Sequence, residues 1–337
     1  MLSSAIIFVG IDVSKDELVI ACGDKGQIKK CKISNTVDSI FAWLKDFGVT
    51  DKHFVLEHTG VYSHRLIYVL SKHDAVFSLI NPAQSRAMSK VLGKTHKNDD
   101  QDAQTLILLG QKFALKPYIM PDAAQKKRKE AFSALNGLQK QRGQLENMLH
   151  SFDYRADPNP VVVEELKKVL KSLDESVAVL EKEILPHPDG SAEDDEKRIL
   201  EIMNLIMSIK GVGTETAKAC ITLFGDFSRI ESAKAFVKTI GLSPTEYSSG
   251  SSVRGKTGIS KRGNPVIRSL LFNCARSAIR YNPICKELYD RLVQKGKKGG
   301  SALVAVMHKL ARQIYGVIKS NQPFDENFVK NKQIVTV

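Results

Sequence analysis

The N-terminal third of the chain alternates short apolar runs with polar turns. The first three runs are rich in β-branched residues and closely spaced, which is typical of a strand meander. The predicted strands cover residues 5–11, 17–23, about 27–33, 53–57 and 75–80. Helices are predicted between and after them at about 37–47, 61–73 and 99–113. A meander that gives way to alternating strands and helices indicates a mixed α/β sheet.

From about residue 123 to 205 the pattern becomes charged, poor in strand formers and helical in period. Its apolar positions step by three and four residues, as in a coiled-coil seam. The seam consists of Leu166, Val169, Leu173, Val177, Leu180 and Ile184. This pattern fits an antiparallel helical hairpin, an oligomerising coiled coil or one long helix packed on its own chain.

A third region begins with "IKGVGTETAKACITLFGD", residues 209–226, which has the form of a helix-hairpin-helix. Gly211 and Gly213 permit tight backbone geometry, and Lys210 precedes them. The free N–H groups at the start of the next helix could hold a phosphate. A purely structural turn is the alternative. Further helices are predicted near 263–281 and 301–319.

The composition is that of a globular protein, with 42% hydrophobic and 26% charged residues. No apolar run reaches 18 residues, so no membrane span is predicted, and the N-terminal apolar run is interpreted as a strand rather than a signal peptide. The five cysteines are odd in number and never in C-x-x-C. They predict a cytoplasmic protein with neither a disulfide framework nor a zinc site.

The net charge of +13 is concentrated near the C-terminus. Residues 241–337 contain 17 Lys and Arg against 5 Asp and Glu, a balance of +12. Such a segment suggests a polyanionic partner, most simply nucleic acid, with a solubilising surface as the alternative.

Acidic residues follow two apolar strands and begin one helix. Asp12 ends the run in "FVGIDVSKDE", and Glu57 ends "FVLE". "KNDDQDAQTL" places Asp99 and Asp102 at i and i+3, on one helix face, with Asp100 between them. Clustered carboxylates at one sheet edge suit Mg²⁺ or Mn²⁺, and metal-assisted phosphodiester cleavage is the usual chemistry of such sites. Each acid alone could instead be a cap or an ion-pair partner.

The segment "YSSGSSVRG", residues 247–255, has the composition of a loop. It could be a linker. Many Lys and Arg residues follow it, however, and cations would stabilise the charge that develops if a serine attacked a phosphodiester.

Taken together, several motifs resemble one known family. They are "GIDVSKDEL", "LEHTG", "INPAQSRAM", "KNDDQDAQTL", "IKGVGTETA", "GLSPTEYSSGSSVRGKTGISKRGN" and "HKLARQIYGVIKS". The chain resembles, from about residue 5 to 325 and in the same motif order, the DEDD-type insertion-sequence transposases. These are also called bridge-RNA-guided recombinases and are relatives of the Piv DNA invertase.

This resemblance implies a fold of class α/β plus α in three domains. A RuvC-like domain with the ribonuclease-H fold would span 1–122, and a coiled-coil region 123–198. A mainly helical transposase domain with the helix-hairpin-helix would span 199–330. The implied acidic tetrad is Asp12, Glu57, Asp99 and Asp102, binding Mg²⁺ or Mn²⁺. The implied nucleophile is Ser249, which directly precedes Gly in the family's Y-x-S-G pattern.

The resemblance further implies a homo-oligomer, dimer to tetramer, in which the tetrad of one subunit works with the serine of another. A structured bridge RNA would pair with donor and target DNA. The reaction would be DNA cleavage and rejoining through a phosphoserine. Contacts to nucleic acid are expected from Lys210, Gly211, Gly213, Arg254, Lys256, Lys261, Arg262 and Arg268.

Two other functions fit the sequence. A RuvC-like nuclease would resolve junctions with water as the nucleophile and leave no protein–DNA adduct. A coiled-coil protein that only binds nucleic acid would use the acids as caps and cleave nothing.

Overall fold

The structure is a computed structural model that describes residues 6–23, 27–93, 99–184, 194–245, 248–249, 253–254 and 258–327. At 99–100, 194–195, 248–249 and 253–254 it describes the backbone alone. The chain forms two compact units, Met1–Pro121 and Asp122–Val337. The first contains a mixed sheet with helices, and the second is mainly helical.

The first unit is built on a five-stranded sheet of order β3-β2-β1-β4-β5. Its strands are β1 (Ile7–Val13), β2 (Glu17–Cys22), β3 (Lys29–Ser34), β4 (Lys52–Glu57) and β5 (Val76–Ile80). The first three strands pair antiparallel, and β4 pairs parallel with both β1 and β5. This arrangement confirms the mixed α/β sheet that the alternating pattern predicts.

Helices cover both faces of this sheet. On one face, Ile11 and Leu56 join a core with Leu44 of α1 (Val37–Phe47) and Leu70 of α2 (His64–Lys72). A short 3-10 turn at Gly60–Ser63 precedes α2. On the other face, helix α4 (Asp99–Lys112) packs against β1, β2 and β4. Burial on both sides explains why β1 and β4 have almost continuous apolar sequences.

Helix α3 (Pro82–Val91) is not among the predicted elements. It begins with a capping box, in which the Asn81 side chain accepts from the Ala83 N–H at 2.8 Å and the Gln84 side chain accepts from the Asn81 N–H. Pro82 stands at its first position, where the missing N–H costs nothing. Within the helix only Ser85 is buried, so the sequence lacks the apolar stripe from which helices are usually predicted.

In the described residues, the second unit consists of helices and four short strands. The helices are α5 (Ala123–Phe152), α6 (Pro160–Ile184), α7 (Asp194–Met207), α8 (Thr214–Phe224), α9 (Ala233–Thr239), α10 (Pro265–Tyr281), α11 (Pro283–Gln294) and α12 (Gly299–Ser320). The strands are β6 (Pro244–Thr245), β7 (Ser248–Ser249), β8 (Val253–Arg254) and β9 (Gly258–Ile259).

Helices α5 and α6 pack along each other as an antiparallel hairpin. Arg142 Nε donates to Asp174 Oδ1 at 2.6 Å across the two helices. In the predicted seam on α6, Ile184 is buried, but Val169 is 49% exposed and the other members are half-buried. The hairpin is therefore present, and its role as an oligomerising coiled coil stays a prediction.

The core of this unit surrounds α12, which packs against α7, α9, α10 and α11. Leu310 and Ile314 lie at its centre, fully buried. Leu135 of α5 and Ile184 of α6 join the same core, so the predicted boundary near 198 crosses one packed unit. The division into three domains stays a prediction. In the part of the chain that is described, no helix has the length and apolarity to cross a membrane.

Candidate active site

Two of the predicted acids lie on neighbouring strands at one edge of the sheet. Ile11 of β1 pairs in parallel register with Leu56 of β4, so Asp12 and Glu57 are the next residues of the two strands. Ile11 and Leu56 face the α1 and α2 side. Because side chains alternate along a strand, Asp12 and Glu57 lie on the opposite face, which α4 covers.

Helix α4 carries the other two predicted acids to this edge. A Cβ at Gly10 would overlap the carbonyl oxygen of Ala103, and one at Gly110 would overlap the ring of Phe8. The order of these contacts shows that α4 runs antiparallel to β1. Its first turns, which contain Asp99 and Asp102, therefore lie at the Asp12 end of the strand.

Glu57 is oriented by a residue that the sequence analysis does not single out. The buried Ser85 of α3 donates its hydroxyl hydrogen bond to Glu57 Oε2, and its Oγ also lies 3.1 Å from the Pro82 carbonyl oxygen. The serine belongs to the motif "INPAQSRAM". The capping signal Asn81-Pro82 could have located the helix, but nothing local shows that Ser85 reaches Glu57.

The donor chemistry of this edge fits a hard divalent cation. Asp12, Glu57 and Asp102 are all half-buried carboxylates, and oxygen ligands of this kind suit Mg²⁺. Among the side chains that the structure describes, no group of three or more His, Cys, Asp or Glu is close enough to hold a metal ion. The side chains of Asp99 and Asp100 are not among the described ones. The structure therefore does not test whether all four predicted acids together form a metal site.

The serine-rich segment forms an antiparallel hairpin. At its base β6 pairs with β9, and further along β7 pairs with β8. Ser249 stands opposite Val253, and Ser248 opposite Arg254. The backbone of Ser249 therefore lies on a paired strand. The side chains of residues 246–257 are not described, and Lys256 lies wholly outside the described residues.

The base of this hairpin is closed by Arg268 of α10. Its Nη1 donates to the carbonyl oxygens of Ile240 at 3.1 Å, Gly263 at 2.8 Å and Asn264 at 3.3 Å. A Cβ at Gly263 would overlap the carbonyl oxygen of Thr239, so the two ends of the hairpin approach through bare backbone. Arg268 thus already binds protein groups, and its predicted contact to nucleic acid stays a prediction.

The other predicted cations of this region are on the surface. Lys261 and Arg262 are exposed next to the hairpin base, and Lys261 adopts φ +53° while its N–H donates to Gly241 at 3.1 Å. Arg254 lies on β8. Their contacts to nucleic acid are not tested by the structure.

The glycine turn between α7 and α8 is docked on α10. Gly211 has φ +95°, and a Cβ there would lie 2.7 Å from Ala278 Cα. Both the backbone conformation and the packing against α10 therefore require glycine at this position. A Cβ at Gly213 would meet nothing within 4 Å. Lys210 pairs with Glu326 at 2.6 Å. The turn therefore has one glycine required by packing and one that faces open space.

The buried thiols of this unit are poor nucleophiles. Burial raises the pKa of Cys220, and burial also raises the pKa of Cys285 to about 11. Both therefore remain protonated at neutral pH, whereas thiol chemistry requires the thiolate. A nucleophile in this part of the chain is better sought among hydroxyl groups.

Two family models match the chain, and together they cover more than two thirds of it. A model for DEDD transposases of the IS110 type, described as "Transposase", matches residues 9–152. A second, "Transposase IS116/IS110/IS902 family", matches residues 203–290. The first match contains all four predicted acids, and the second contains Ser249.

Curated relatives extend over nearly the whole chain. The pilin gene-inverting protein of Moraxella lacunata is 27% identical over 95% of this chain and 98% of its own length. The transposase for insertion sequence element IS1328 of Yersinia enterocolitica is 24% identical over 80% of this chain and 83% of its own length.

Among solved structures, T. thermophilus RuvC in complex with a Holliday junction substrate aligns with 34% of this chain and 99% of that chain, at 12% identity and a TM-score of 0.26.

Proposed function

We infer that this chain, which belongs to the IS116/IS110/IS902 family of transposases and is by that membership a DNA transposase or recombinase, combines an acidic metal site with a serine nucleophile. It cuts and rejoins DNA at specific sites. The observation that carries this proposal is the meeting of Asp12, Glu57 and the first turns of α4 at one sheet edge.

The fold of the first unit supports the acidic half of the site. The sheet order β3-β2-β1-β4-β5, with acids on the adjacent parallel strands β1 and β4, supports a RuvC-like domain with the ribonuclease-H fold. Asp12, Glu57, Asp99 and Asp102 would hold Mg²⁺, or Mn²⁺ in its place. When bound, the cation polarises the scissile phosphate and offsets the charge that develops on it.

The serine half of the site is the hairpin of β7 and β8. The Ser249 Oγ attacks the scissile phosphorus, so a new P–O bond forms to the serine as the bond to the leaving sugar oxygen breaks. The proton lost by the serine is balanced by the proton that the leaving hydroxyl gains. The phosphoserine retains a phosphodiester, so a second sugar hydroxyl can displace the serine and rejoin the strand.

The partners follow from charge and family. Donor and target DNA bind through backbone contacts from the basic segment 241–337, and a structured bridge RNA supplies sequence recognition by base pairing. A helix-hairpin-helix at the Gly211 turn holds phosphates. The α5–α6 hairpin joins subunits into a dimer or tetramer, in which the tetrad and the serine come from different copies.

A covalent-adduct assay tests this proposal. The full chain is incubated with Mg²⁺, labelled DNA that spans the element junction and its candidate RNA, and is then run on a denaturing gel. We expect an adduct from the wild type and none from Ser249→Ala or Asp12→Ala. Ser252→Ala, three positions further along the same serine-rich segment, is the matched serine control and should keep the adduct.

Other outcomes separate the alternatives. Cleavage that persists in Ser249→Ala without any adduct, leaving free 5′-phosphate ends, would contradict the serine mechanism and favour a junction-resolving nuclease that uses water. Metal-independent binding with no cleavage at all would favour a protein that only binds nucleic acid.

A further inference from the structure

Helix α10 presents a stripe of polar and basic side chains along one face. Asn273, Arg276, Ser277 and Arg280 follow one another at helical spacings of three, one and three residues, so they lie along one face. Asn273 and both arginines are exposed, and Ser277 is half-buried. The opposite face of the helix holds the buried Ile267, Leu271 and Ala278.

None of the four side chains forms a hydrogen bond or an ion pair with any residue that the structure describes. This contrasts with Arg268, two turns earlier on the same helix, which donates to three carbonyl oxygens. Arg276 and Arg280 therefore keep their full donor capacity for a ligand. Their positions four residues apart correspond to about 6 Å along the helix.

The glycine turn forms the second wall of a groove along this stripe. One concave part is lined by Asn273, Arg276, Ser277, Arg280 and Tyr281. An adjoining part is lined by Gly211, Gly213, Thr214 and Glu215 and shares Asn273 and Ser277 with the first. Because Gly211 is docked directly on Ala278, the turn and the helix form one continuous surface. Glu215 is the acidic residue of the groove, and Lys218 pairs with it at 3.0 Å.

We propose that this groove binds the phosphodiester backbone of a nucleic-acid strand, with Arg276 and Arg280 on successive phosphates and with Asn273 and Ser277 as donors beside them. Arginine forks match phosphate geometry, and the neutral donors add hydrogen bonds without adding specificity. Tyr281, 65% exposed at the far end of the groove, offers a ring on which a base can stack. This inference rests on the proposed function and specifies which side chains of the basic segment, together with the Gly211 turn, form one of its contact surfaces.

Binding of generic nucleic acid to the full chain tests the groove. Fluorescence anisotropy is measured with a labelled DNA duplex, a single DNA strand and an RNA strand over a range of salt concentrations. The test variant is Arg276→Ala/Arg280→Ala. The control, Lys234→Ala/Lys238→Ala, removes the same charge at the same four-residue spacing from the exposed surface of α9, outside the basic segment 241–337.

We expect the test variant to bind roughly tenfold more weakly for each arginine lost, with a salt slope lower by about one for each phosphate contact. The control should change both quantities much less. The strand type that loses most affinity identifies the occupant as DNA or RNA. Equal affinity and equal salt slope in the test and control variants would overturn the proposal.

A second variant checks the groove sterically. The methyl group of Gly213→Ala would meet no protein atom within 4 Å, so the fold and its melting temperature should be unchanged. Gly213 lines the groove, so the added methyl group should narrow it, and we expect severalfold weaker binding. Unchanged binding by Gly213→Ala would exclude a close approach of the strand to this wall.

The adduct assay keeps the two proposals apart. If the groove is wrong and the proposed function is right, the arginine variants bind and form adducts like the control. If the proposed function is wrong and the groove is right, no adduct forms in any variant while the binding losses remain.

Discussion

Asp12 and Glu57 lie on the two neighbouring strands at the centre of a sheet with both faces covered, whereas Ser249 lies on a two-residue strand near the tip of a hairpin. The acids are positioned by strands that are buried between hydrophobic clusters on both faces of the sheet. The serine depends on the few contacts that close the base of its hairpin. In both regions a close backbone approach requires glycine, at Gly10 beside α4 and at Gly263 beside the hairpin. Each region also has a polar side chain that holds the site, Ser85 or Arg268, so matched substitutions can compare the two.

The largest effect is expected from the glycine under the acids. The methyl group of Gly10→Ala would overlap the Ala103 carbonyl, so α4 must move away from β1. We expect a loss of about 1–3 kcal/mol in the free energy of unfolding and loss of adduct formation, because the first turns of α4 leave the edge. Urea unfolding and the adduct assay measure the two effects.

Gly143→Ala is the matched control, since a methyl group there meets nothing and alanine favours the helix. Gly263→Ala makes the corresponding change at the hairpin base, against the Thr239 carbonyl. It should reduce adduct formation with less effect on global stability. If Gly10→Ala retains wild-type stability and activity, α4 does not hold acids at this edge.

A smaller effect is expected from the hydroxyl that orients Glu57. Ser85→Ala removes the hydrogen bond to Glu57 Oε2. Removing such an outer partner of a metal ligand typically costs about 10–100-fold in metal affinity or activity. We therefore expect the rate of adduct formation, measured against Mg²⁺ concentration, to reach half its maximum at a higher concentration.

Ser71→Ala is the control, because its hydroxyl donates only to the Ile67 carbonyl of its own helix. Added Mg²⁺ should restore Ser85→Ala at least in part. A uniform loss of rate at every Mg²⁺ concentration would show instead that Ser85 supports the fold and does not tune a metal site.

The comparison also shows what sequence patterns can predict. Asp12 and Glu57 could be located because each ends an apolar run, and two such strands in a mixed sheet end at a common edge. Ser85 could not, since α3 has no apolar stripe and its hydroxyl reaches Glu57 across 28 positions of sequence. The composition of 247–255 predicts a loop. The strands β7 and β8 within it could not be predicted, because two residues are too few to show an alternating pattern. Their pairing depends on contacts at the hairpin base from residues more than ten positions away.

The most selective prediction concerns Arg268, for which two roles can be distinguished. If it closes the hairpin base, Arg268→Ala removes one donor from each of three carbonyl oxygens and loosens the strand that carries Ser249. We expect roughly tenfold slower adduct formation, the equivalent of one charged hydrogen bond, with unchanged affinity for DNA. Arg268→Lys should recover only part of the rate, because an ammonium group lacks the fork that reaches several carbonyls.

Arg262→Ala, on the same segment, shows what is expected of an arginine that contacts phosphate and does not hold the hairpin base. Its side chain is exposed, and its backbone lies close to Gly241 at the hairpin base. We expect this variant to bind DNA more weakly, with a reduced salt slope, and to react at the normal rate once DNA is saturating. If Arg268→Ala behaves in that way instead, its guanidinium contacts a phosphate during the reaction. The hairpin base would then be held by backbone contacts such as the pairing of β6 with β9 and the hydrogen bond from the Lys261 N–H to Gly241.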